Sequence, residues 1–361
     1  MQQDITSFFN EIKQVYDLNL PFVVFRKPNE NLVTTYVQKT KEIHYLNSFS
    51  EQGFIFAPFN KNEKTVVFSV DKCTLLSSKI SKKTLFTASK RSSNFSIGFK
   101  NDSKEKHIKL VQKGINFIKN NNVKKVVLSR NEKIKNIDLN VIDIYKRVLN
   151  NYKNAFVYLW YHPSVGLWMG ATPERLLNIT DNTFKTMALA GTQAYKNTTN
   201  VNWKTKEQQE QQFVTDFILE RIVKNINNIK ITEPYTIKAG NLLHIRTDIS
   251  GTLISDNQLG NLIDSLHPTP AVCGLPKNIA TEFILKNEGY NRAYYSGYLG
   301  EINKDNTTNL FVNLRCMEIK NSTAIIYVGG GITKDSNAEK EWQETVSKAE
   351  VMKSVLKNEK H

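Results

Sequence analysis

The sequence predicts a large mixed α+β fold in which antiparallel β-sheets are flanked by helices. Predicted strands follow one another in runs separated by polar turns, most clearly over 294–332, and do not alternate strictly with helices. Of the 361 residues, 40% are apolar and 10% aromatic, which is enough for a substantial core. No internal repeat is visible, and the length is compatible with two domains or with one large domain.

The first third of the chain predicts one helix followed by short strands. The N-terminal helix is expected over 4–16, where the sequence is amphipathic. Short strands are expected near 22–26, 32–37, 54–58 and 65–70. Residues 77–103 are rich in Ser and Lys, which predicts a surface connection, and a second helix is expected near 103–121.

The middle of the chain predicts longer strands and one long helix. The β-branched centre of KKVVLSRNEKI predicts a strand over 124–134, and a helix near 140–151 follows it. We expect AFVYLWYH to be a strand, GLWMGATPERLL a strand and turn, and FKTMALAGTQ a short strand that ends at Gly191. Residues 203–227 predict a helix with apolar residues such as Phe217 on one side.

The last third predicts further strands between helices. HIRTDISGTL is expected to form a strand over 244–253. The segments YYSGYLGEI, TNLFVNLRCMEI and TAIIYVGGGI predict three successive strands with polar turns between them. Helices are expected near 256–265, 278–287 and 337–358.

The formal net charge of +15 raises the possibility of a nucleic-acid partner. The lysines do not gather into one block with interleaved aromatic residues, so we expect no such partner. A positive field would instead help an anionic small molecule to reach the protein.

Cysteine usage and hydropathy predict a cytoplasmic protein. The three cysteines are far apart and form no C-x-x-C pair, which favours a reducing compartment and no disulfide framework. The N-terminus lacks the features of a signal peptide, and no apolar run approaches the roughly 18 residues of a membrane span. No strong apolar patch or heptad is visible, so we expect a monomer.

The stretch HPTPAVCGLP, from His267 to Pro276, predicts rigid backbone ahead of a helix. Each of its three prolines fixes its own φ and biases the preceding residue towards extended geometry. Such a segment contributes little to a core, but it can hold short side chains and backbone groups in one fixed arrangement beside another part of the site.

Two helices carry carboxylates that could hold a cation. Glu341, Glu344 and Lys348 share one face of the C-terminal helix, which is either a solvated charged face or part of a site. Glu210 lies near the apolar side of the 203–227 helix, with Glu207 one turn before it. A buried carboxylate needs a partner, and Mg²⁺ typically takes one or two protein carboxylates with water and substrate oxygens.

Lys125 and Glu174 form a candidate proton-transfer pair. A strand lysine usually extends to solvent, but a desolvated lysine loses its proton more readily and can act as a general base. Glu174 follows a proline at a turn, where it is either a surface residue or a carboxyl group held as a general acid.

Arg315 is expected to alternate with Asn313 and Met317 on one strand face, as half of an ion pair or as a bidentate ligand for a carboxylate. His244 begins its strand, and without C-x-x-C or H-E-x-x-H a zinc site is not expected. The triple glycine 329–331 matches no phosphate-binding motif, but it allows backbone N–H groups to approach a ligand closely.

Taken in order, these segments resemble the chorismate-utilising enzymes. The resemblance is carried by KVVLSR, GATPERLL, LAGT, the helix with Glu210, HIRTDISG, HPTPAVCGLP, YYSGYLG, NLRCMEI, YVGGGI and EWQETVSKAEVM. It covers about 105–357, and the combination is specific where single motifs are not. It implies the anthranilate synthase component I type of α+β fold. Residues 105–361 would be the chorismate-binding catalytic region, and 1–104 the variable N-terminal part of the same fold.

Three positions distinguish the reactions of that family. Lys125 stands where members that use water have their base, whereas members that use ammonia typically have Gln. Ala190 stands where members that attack with their own side chain have Lys. Ala271 stands where salicylate and anthranilate synthases typically have Thr. Together these positions imply an isochorismate synthase reaction.

The resemblance also implies the site. Lys125 would activate water for attack at C2 of chorismate, and Glu174 would protonate the departing C4 hydroxyl. Mg²⁺ would be held by Glu210 and Glu344, together with Glu341 and Glu207. The residues expected to contact the substrate are Gly191, His244, Ala271, Val272, Tyr295, Arg315, Gly330 and Lys348.

Two alternatives stay within the resemblance. A salicylate synthase would go on to release pyruvate, and Ala271 argues against it. A catalytically inactive homologue would only bind, and the competent residues at the catalytic positions argue against that. An isochorismate product is compatible with either menaquinone or siderophore biosynthesis.

Overall fold

The computed structural model describes residues 2–81, 101–135, 140–239, 242–255 and 258–356. Seven α-helices lie in these ranges. They are α1 (Ile5–Asp17), α2 (Asn101–Asn120), α3 (Val141–Asn151), α4 (Thr205–Ile222), α5 (Leu259–Leu266), α6 (Lys277–Asn287) and α7 (Ala338–Leu356).

The same ranges contain nineteen strands. They are β1 (Gln2–Gln3), β2 (Phe22–Arg26), β3 (Leu32–Gln38), β4 (Gly53–Ala57), β5 (Val66–Ser69), β6 (Cys73–Lys79), β7 (Lys125–Lys135), β8 (Phe156–His162), β9 (Gly166–Thr172), β10 (Arg175–Thr180), β11 (Thr183–Ala194), β12 (Ile226–Ile231), β13 (Tyr235–Ala239), β14 (Leu242–Leu253), β15 (Gly274–Leu275), β16 (Tyr298–Lys304), β17 (Thr307–Val312), β18 (Cys316–Lys320) and β19 (Thr323–Ile332).

The described strands form two sheets. The ten-stranded sheet has the order β1-β6-β3-β2-β8-β9-β18-β19-β7-β15. The nine-stranded sheet has the order β12-β14-β11-β10-β17-β16-β4-β5, and β13 pairs with β14. Only β1 and β6 pair in parallel among these strands. The predicted α+β class with antiparallel sheets is confirmed.

The two sheets enclose a core rich in aromatic side chains, and β8 shows why. Side chains alternate between the faces of a strand, so Tyr158 and Trp160 lie in the core between the sheets. Val157 and Leu159 lie on the opposite face, against α1, α3 and α7. Because both faces are covered, the strand is a nearly continuous apolar run.

Helices cover the outer faces of both sheets. Phe217 of α4 and Leu262 of α5 pack in one cluster with residues of the nine-stranded sheet. A smaller cluster joins α2 and α6 to β7, with Ile115 and Ile284 among its members. The elements that carry the candidate site residues are therefore fixed from both sides.

The predicted helix over 203–227 is wrong at its C-terminal end. Helix α4 stops at Ile222, and the segment from Ile226 pairs with β14 as strand β12. The segment NINNIKI combines β-branched residues with asparagines, one of which, Asn228, has φ of 52°. Both features favour strand and turn over helix.

Two further expectations about strands are wrong. Strand β11 does not end at Gly191 but continues to Ala194 beyond an irregularity in its pairing with β14, where Gly191 has φ of 71°. Arg315 does not alternate along a strand with Asn313 and Met317. The chain leaves the nine-stranded sheet after β17 and enters the other sheet at β18, and Arg315 lies in this connection with φ of 47°.

The N-terminal region enters both sheets. Strands β2, β3 and β6 belong to the ten-stranded sheet, whereas β4 and β5 belong to the other. Strands β6 and β13 were not predicted. The expected surface connection over 77–103 overlaps β6 and α2, and its part over 82–100 lies outside the described residues.

Two properties of the chain bear on its environment. Cys73, Cys273 and Cys316 are buried free thiols. Among the helices of the described ranges, none combines the length and apolar character needed to cross a bilayer.

The rigid HPTPAVCGLP segment is anchored by a buried ion pair. Arg292 donates two hydrogen bonds to the Glu288 carboxylate, at 2.7 and 2.5 Å, and its side chain is 2% exposed. The same guanidinium donates to the carbonyls of Val272, at 2.9 Å, and Val127, at 2.8 Å. The segment and strand β7 are therefore held to one another through one side chain.

We expect Arg292→Met to lower the free energy of unfolding by about 3–5 kcal/mol, because Glu288 would remain buried without its counter-charge. The exposed Arg221 supplies the control, since Arg221→Met should change stability by no more than about 0.5 kcal/mol. Urea titration of the three proteins would measure this. Equal unfolding free energies for Arg292→Met and wild type would contradict it.

Candidate active site

One cavity collects most of the predicted site residues. Its empty volume, open solvent included, is about 810 Å³. Twelve of the fourteen predicted residues line it: Lys125, Glu174, Gly191, Glu210, His244, Ala271, Val272, Tyr295, Arg315, Gly330, Glu344 and Lys348. The other two, Glu207 and Glu341, do not line it, although both lie beside lining residues.

Lys125 opens strand β7 and is buried, with its side chain 2% exposed. Its Nζ lies 3.6 Å from Oε2 of Glu210 on helix α4. The HPTPAVCGLP segment closes over this end of the strand, because Leu275 pairs with Lys125 and the Val127 amide donates to the Cys273 carbonyl at 2.7 Å. Lys125 therefore does not extend to solvent, as a strand lysine usually does, and a carboxylate accompanies it.

The triple glycine makes room for charged groups. A Cβ on Gly331 would lie 2.5 Å from Cε of Lys125 and 3.1 Å from Oε2 of Glu210. A Cβ on Gly330 would lie 3.4 Å from Oε2 of Glu341 and 3.7 Å from Oε1 of Glu344. These glycines therefore allow strand β19 to pass close to the carboxylates of α4 and α7.

Glu174 is 5% exposed and lies at the turn between β9 and β10. Burial raises its pKa to about 7, although the positive charges of Lys125, Arg315 and Lys348 oppose the shift. A carboxyl group with this pKa can keep its proton near neutral pH, as a general acid requires.

Three carboxylates in and beside the cavity each have an ammonium group nearby. Lys348 Nζ lies 2.7 Å from Glu344, and Lys206 Nζ lies 2.5 Å from Glu341. Desolvation would raise the pKa of Glu344, but the neighbouring lysines, Lys348 foremost, hold it below its ordinary value. With Lys125 beside Glu210, the site contains three opposite-charge pairs.

The carboxylates fit a hard divalent cation. Oε2 of Glu341 and Oε2 of Glu207 are buried acceptors without a hydrogen-bond partner among the described residues. Oxygen donors of this kind suit Mg²⁺, which needs only one or two protein carboxylates. Within the described ranges, no three His, Cys, Asp or Glu side chains already form a metal-binding cluster.

His244 connects the two sides of the cavity as a neutral ring. Its Nδ1 lies 2.8 Å from the Gly191 carbonyl, so it donates there, and its Nε2 accepts from the Arg315 guanidinium at 2.6 Å. Burial, with the charge of Arg315, lowers the pKa of His244 to about 3. A ring that stays neutral in this way can orient Arg315 but cannot serve as an acid at neutral pH.

The remaining wall is mostly apolar. Val272 and Tyr295 are 2% and 3% exposed, and the Tyr295 ring stacks on Tyr327 at 5.6 Å. Tyr327 and Leu314 line the cavity but were not predicted. Lys206 was also missed, although its i, i+4 spacing from Glu210 was visible in the sequence.

The sequence is similar to those of known proteins. A family model described as chorismate binding enzyme matches residues 51–357. The chain is 29% identical over 216 residues to "Isochorismate synthase MenF" of Escherichia coli, covering 57% of this chain and 49% of that protein. It is 27% identical over 265 residues to "Anthranilate synthase component 1" of Thermococcus kodakarensis, covering 70% and 60%. The matches thus span about half of the curated relatives' length.

A solved structure extends the likeness to nearly the whole chain. It is a Bacillus anthracis protein described as a 2,3-dihydroxybenzoate-specific isochorismate synthase, DhbC. The TM-score is 0.81 at 20% identity, with 97% of this chain and 99% of that chain covered. At this identity the likeness establishes the shared fold.

The raised pKa of Glu174 predicts a stability that depends on pH. The pKa is ordinarily 4.5 and is about 7 in the folded protein, so the unfolded state ionises first and stability is lost as pH rises between these values. The difference corresponds to about 3 kcal/mol. In EDTA and at pH of about 8, Glu174→Gln should therefore be more stable than wild type by about that amount. At pH of about 5, the free energies of unfolding of the two proteins should differ little.

Urea titration at both pH values would measure this difference. Glu233→Gln removes an exposed carboxylate and should have the same small effect at each pH. An equal effect of Glu174→Gln at the two pH values would mean that Glu174 titrates normally.

Proposed function

The chain belongs to the chorismate-binding enzyme family, and from this premise we propose that it is an isochorismate synthase, which isomerises chorismate to isochorismate. One observation carries the proposal. Lys125 at the start of β7 and Glu174 in the turn between β9 and β10 are both buried, and they line a single cavity beside the carboxylates of Glu210 and Glu344. A base, an acid and ligands for a cation are thus available to one substrate.

In the proposed reaction, Lys125 accepts a proton from a water molecule as the water oxygen bonds to C2 of chorismate. Both ring double bonds shift, from C1=C2 to C1=C6 and from C5=C6 to C4=C5, and the bond between C4 and its hydroxyl breaks. Glu174 gives its proton to the departing hydroxyl, which leaves as water. One water is consumed and one released, so the product is an isomer. Proton exchange with solvent then restores Lys125 and Glu174.

The proposed ligands of Mg²⁺ are Glu210 and Glu344, with Glu341 and Glu207 contributing through water. When bound, the ion would supply positive charge that neutralises and orients the ring carboxylate. Two features of the chain support this assignment: the unpartnered oxygens of Glu341 and Glu207, and the space left by Gly330 and Gly331.

The remaining wall would bind the substrate. We assign Arg315, Tyr295 and backbone N–H groups near Gly330 to the enolpyruvyl carboxylate. Lys348 and Gly191 are assigned to the region of the ring carboxylate. The neutral ring of His244 would hold the guanidinium of Arg315 in place and would not donate a proton to the leaving hydroxyl.

Lining residues favour isochorismate over other products of the family. Lys125 provides a base for water, whereas Ala190 provides no nucleophile. Ala271 places a methyl group where salicylate and anthranilate synthases typically have Thr. Relatives named isochorismate synthase and anthranilate synthase match the chain at similar identity. The choice of reaction in this proposal therefore rests on these residues.

The first test is a product assay with chorismate. Wild-type protein with Mg²⁺ should form isochorismate, and EDTA should abolish the reaction because the ring carboxylate loses its counter-charge. Added ammonium should give no anthranilate. Chromatography would separate the products. Salicylate with pyruvate would instead indicate a salicylate synthase, and no turnover would indicate a binding homologue.

Variants of the base and acid test the assigned roles. Lys125→Met and Glu174→Gln should each lower kcat by at least about 100-fold, since each removes one proton transfer. In wild type, kcat/KM should fall as pH rises above about 7, because Glu174 must be protonated. Initial rates across pH would measure both effects. Lys124→Met, an exposed neighbour, should keep wild-type kcat, and a loss there would point to a general charge effect.

A further inference from the structure

Lys206 bridges two helices at the proposed metal ligands. It is the second residue of α4, and its Nζ lies 2.5 Å from Oε1 of Glu341 on α7. The same Nζ lies 3.7 Å from Oε1 of Glu210, one turn along α4. A single ammonium group thus contacts two carboxylates that we assign to Mg²⁺.

Both carboxylates require a counter-charge. Glu341 is 2% exposed and Glu210 is 9% exposed, and buried charges are costly unless they are paired. Glu210 has a second neighbour in Lys125, whereas the other oxygen of Glu341 has no partner among the described residues. Lys206 is therefore the main charge partner that the described structure gives Glu341.

Lys206 is the most exposed of the three lysines that pair with the site carboxylates. Its side chain is 34% exposed, whereas those of Lys348 and Lys125 are 23% and 2% exposed. Lys348 pairs with Glu344 on its own helix and donates to the Gly329 carbonyl at 3.0 Å. The ammonium of Lys206 can therefore move into solvent without leaving a buried positive charge behind.

We propose that Lys206 is an internal counter-ion of the metal site. Its ammonium holds Glu341 and Glu210 together when no metal is bound, and it competes with Mg²⁺ for their oxygens. The inference rests on the metal ligands assigned in the proposed function.

The test compares Lys206→Met with Lys204→Met by calorimetric titration of MgCl₂ into EDTA-treated, desalted protein without substrate. Met keeps the length of the side chain and removes its charge. Lys204, an exposed residue two positions earlier, gives the same change in net charge. We expect the Kd for Mg²⁺ to fall about tenfold in Lys206→Met and to stay near the wild-type value in Lys204→Met.

A second readout needs neither metal nor substrate. In EDTA, Lys206→Met should unfold about 2–4 °C below wild type, because two buried carboxylates lose their partner. Saturating Mg²⁺ should remove this difference. If Lys206→Met folds poorly, Lys206→Gln, which retains a hydrogen-bond donor, should show the same tightening of Mg²⁺ binding.

An unchanged or weaker affinity for Mg²⁺ in both Lys206 variants would overturn the inference. If wild-type turnover of chorismate depends on Mg²⁺ in that case, the proposed function stands and only the assignment of Lys206 fails. If neither wild type nor variants bind Mg²⁺ and EDTA leaves turnover intact, both the inference and the assigned metal ligands are wrong.

Discussion

Compensation of buried charge is the constraint on which the cavity depends. Glu210 lies on α4, and Glu341 and Glu344 lie on α7; each has a lysine ammonium within 4 Å. A carboxylate in such surroundings without a partner would carry a large desolvation penalty. The pairs therefore join α4 to α7 and to the first residue of β7. As a result, the electrostatics of the site and the packing of its walls depend on each other.

The two-sheet architecture supplies the rigidity that this arrangement needs. Strands such as β8 are buried on both faces, and their aromatic side chains fill the space between the sheets. Candidate residues lie at strand ends and connections, where the chain leaves this packed frame. Arg315 is the clearest case, because it occupies the passage from one sheet to the other and reaches the Ala239 carbonyl and His244.

Most elements could be predicted from local pattern, and the failures have tertiary causes. The end of α4 was missed because apolar spacing continues into a segment that β14 recruits as a strand. The conformation of Arg315 could not be seen because alternation does not reveal a change of sheet. The family resemblance named fourteen site residues, and twelve of them line one cavity. Lys206 was overlooked because its partner Glu341 lies 135 positions away and is brought near only by folding.

The clamp formed by Arg292 and Glu288 limits how this site can diverge. It fastens the carbonyl of Val272 to strand β7, and Ser129 of that strand donates to Glu288 from both its amide and its hydroxyl. The cavity wall that contains Val272 and the strand that carries Lys125 are thus held together as one unit. Replacing only 267–276 with the corresponding segment of a relative would separate that segment from the side chains that hold it. To transfer product selectivity within this scaffold, the segment should therefore be exchanged together with Glu288 and Arg292.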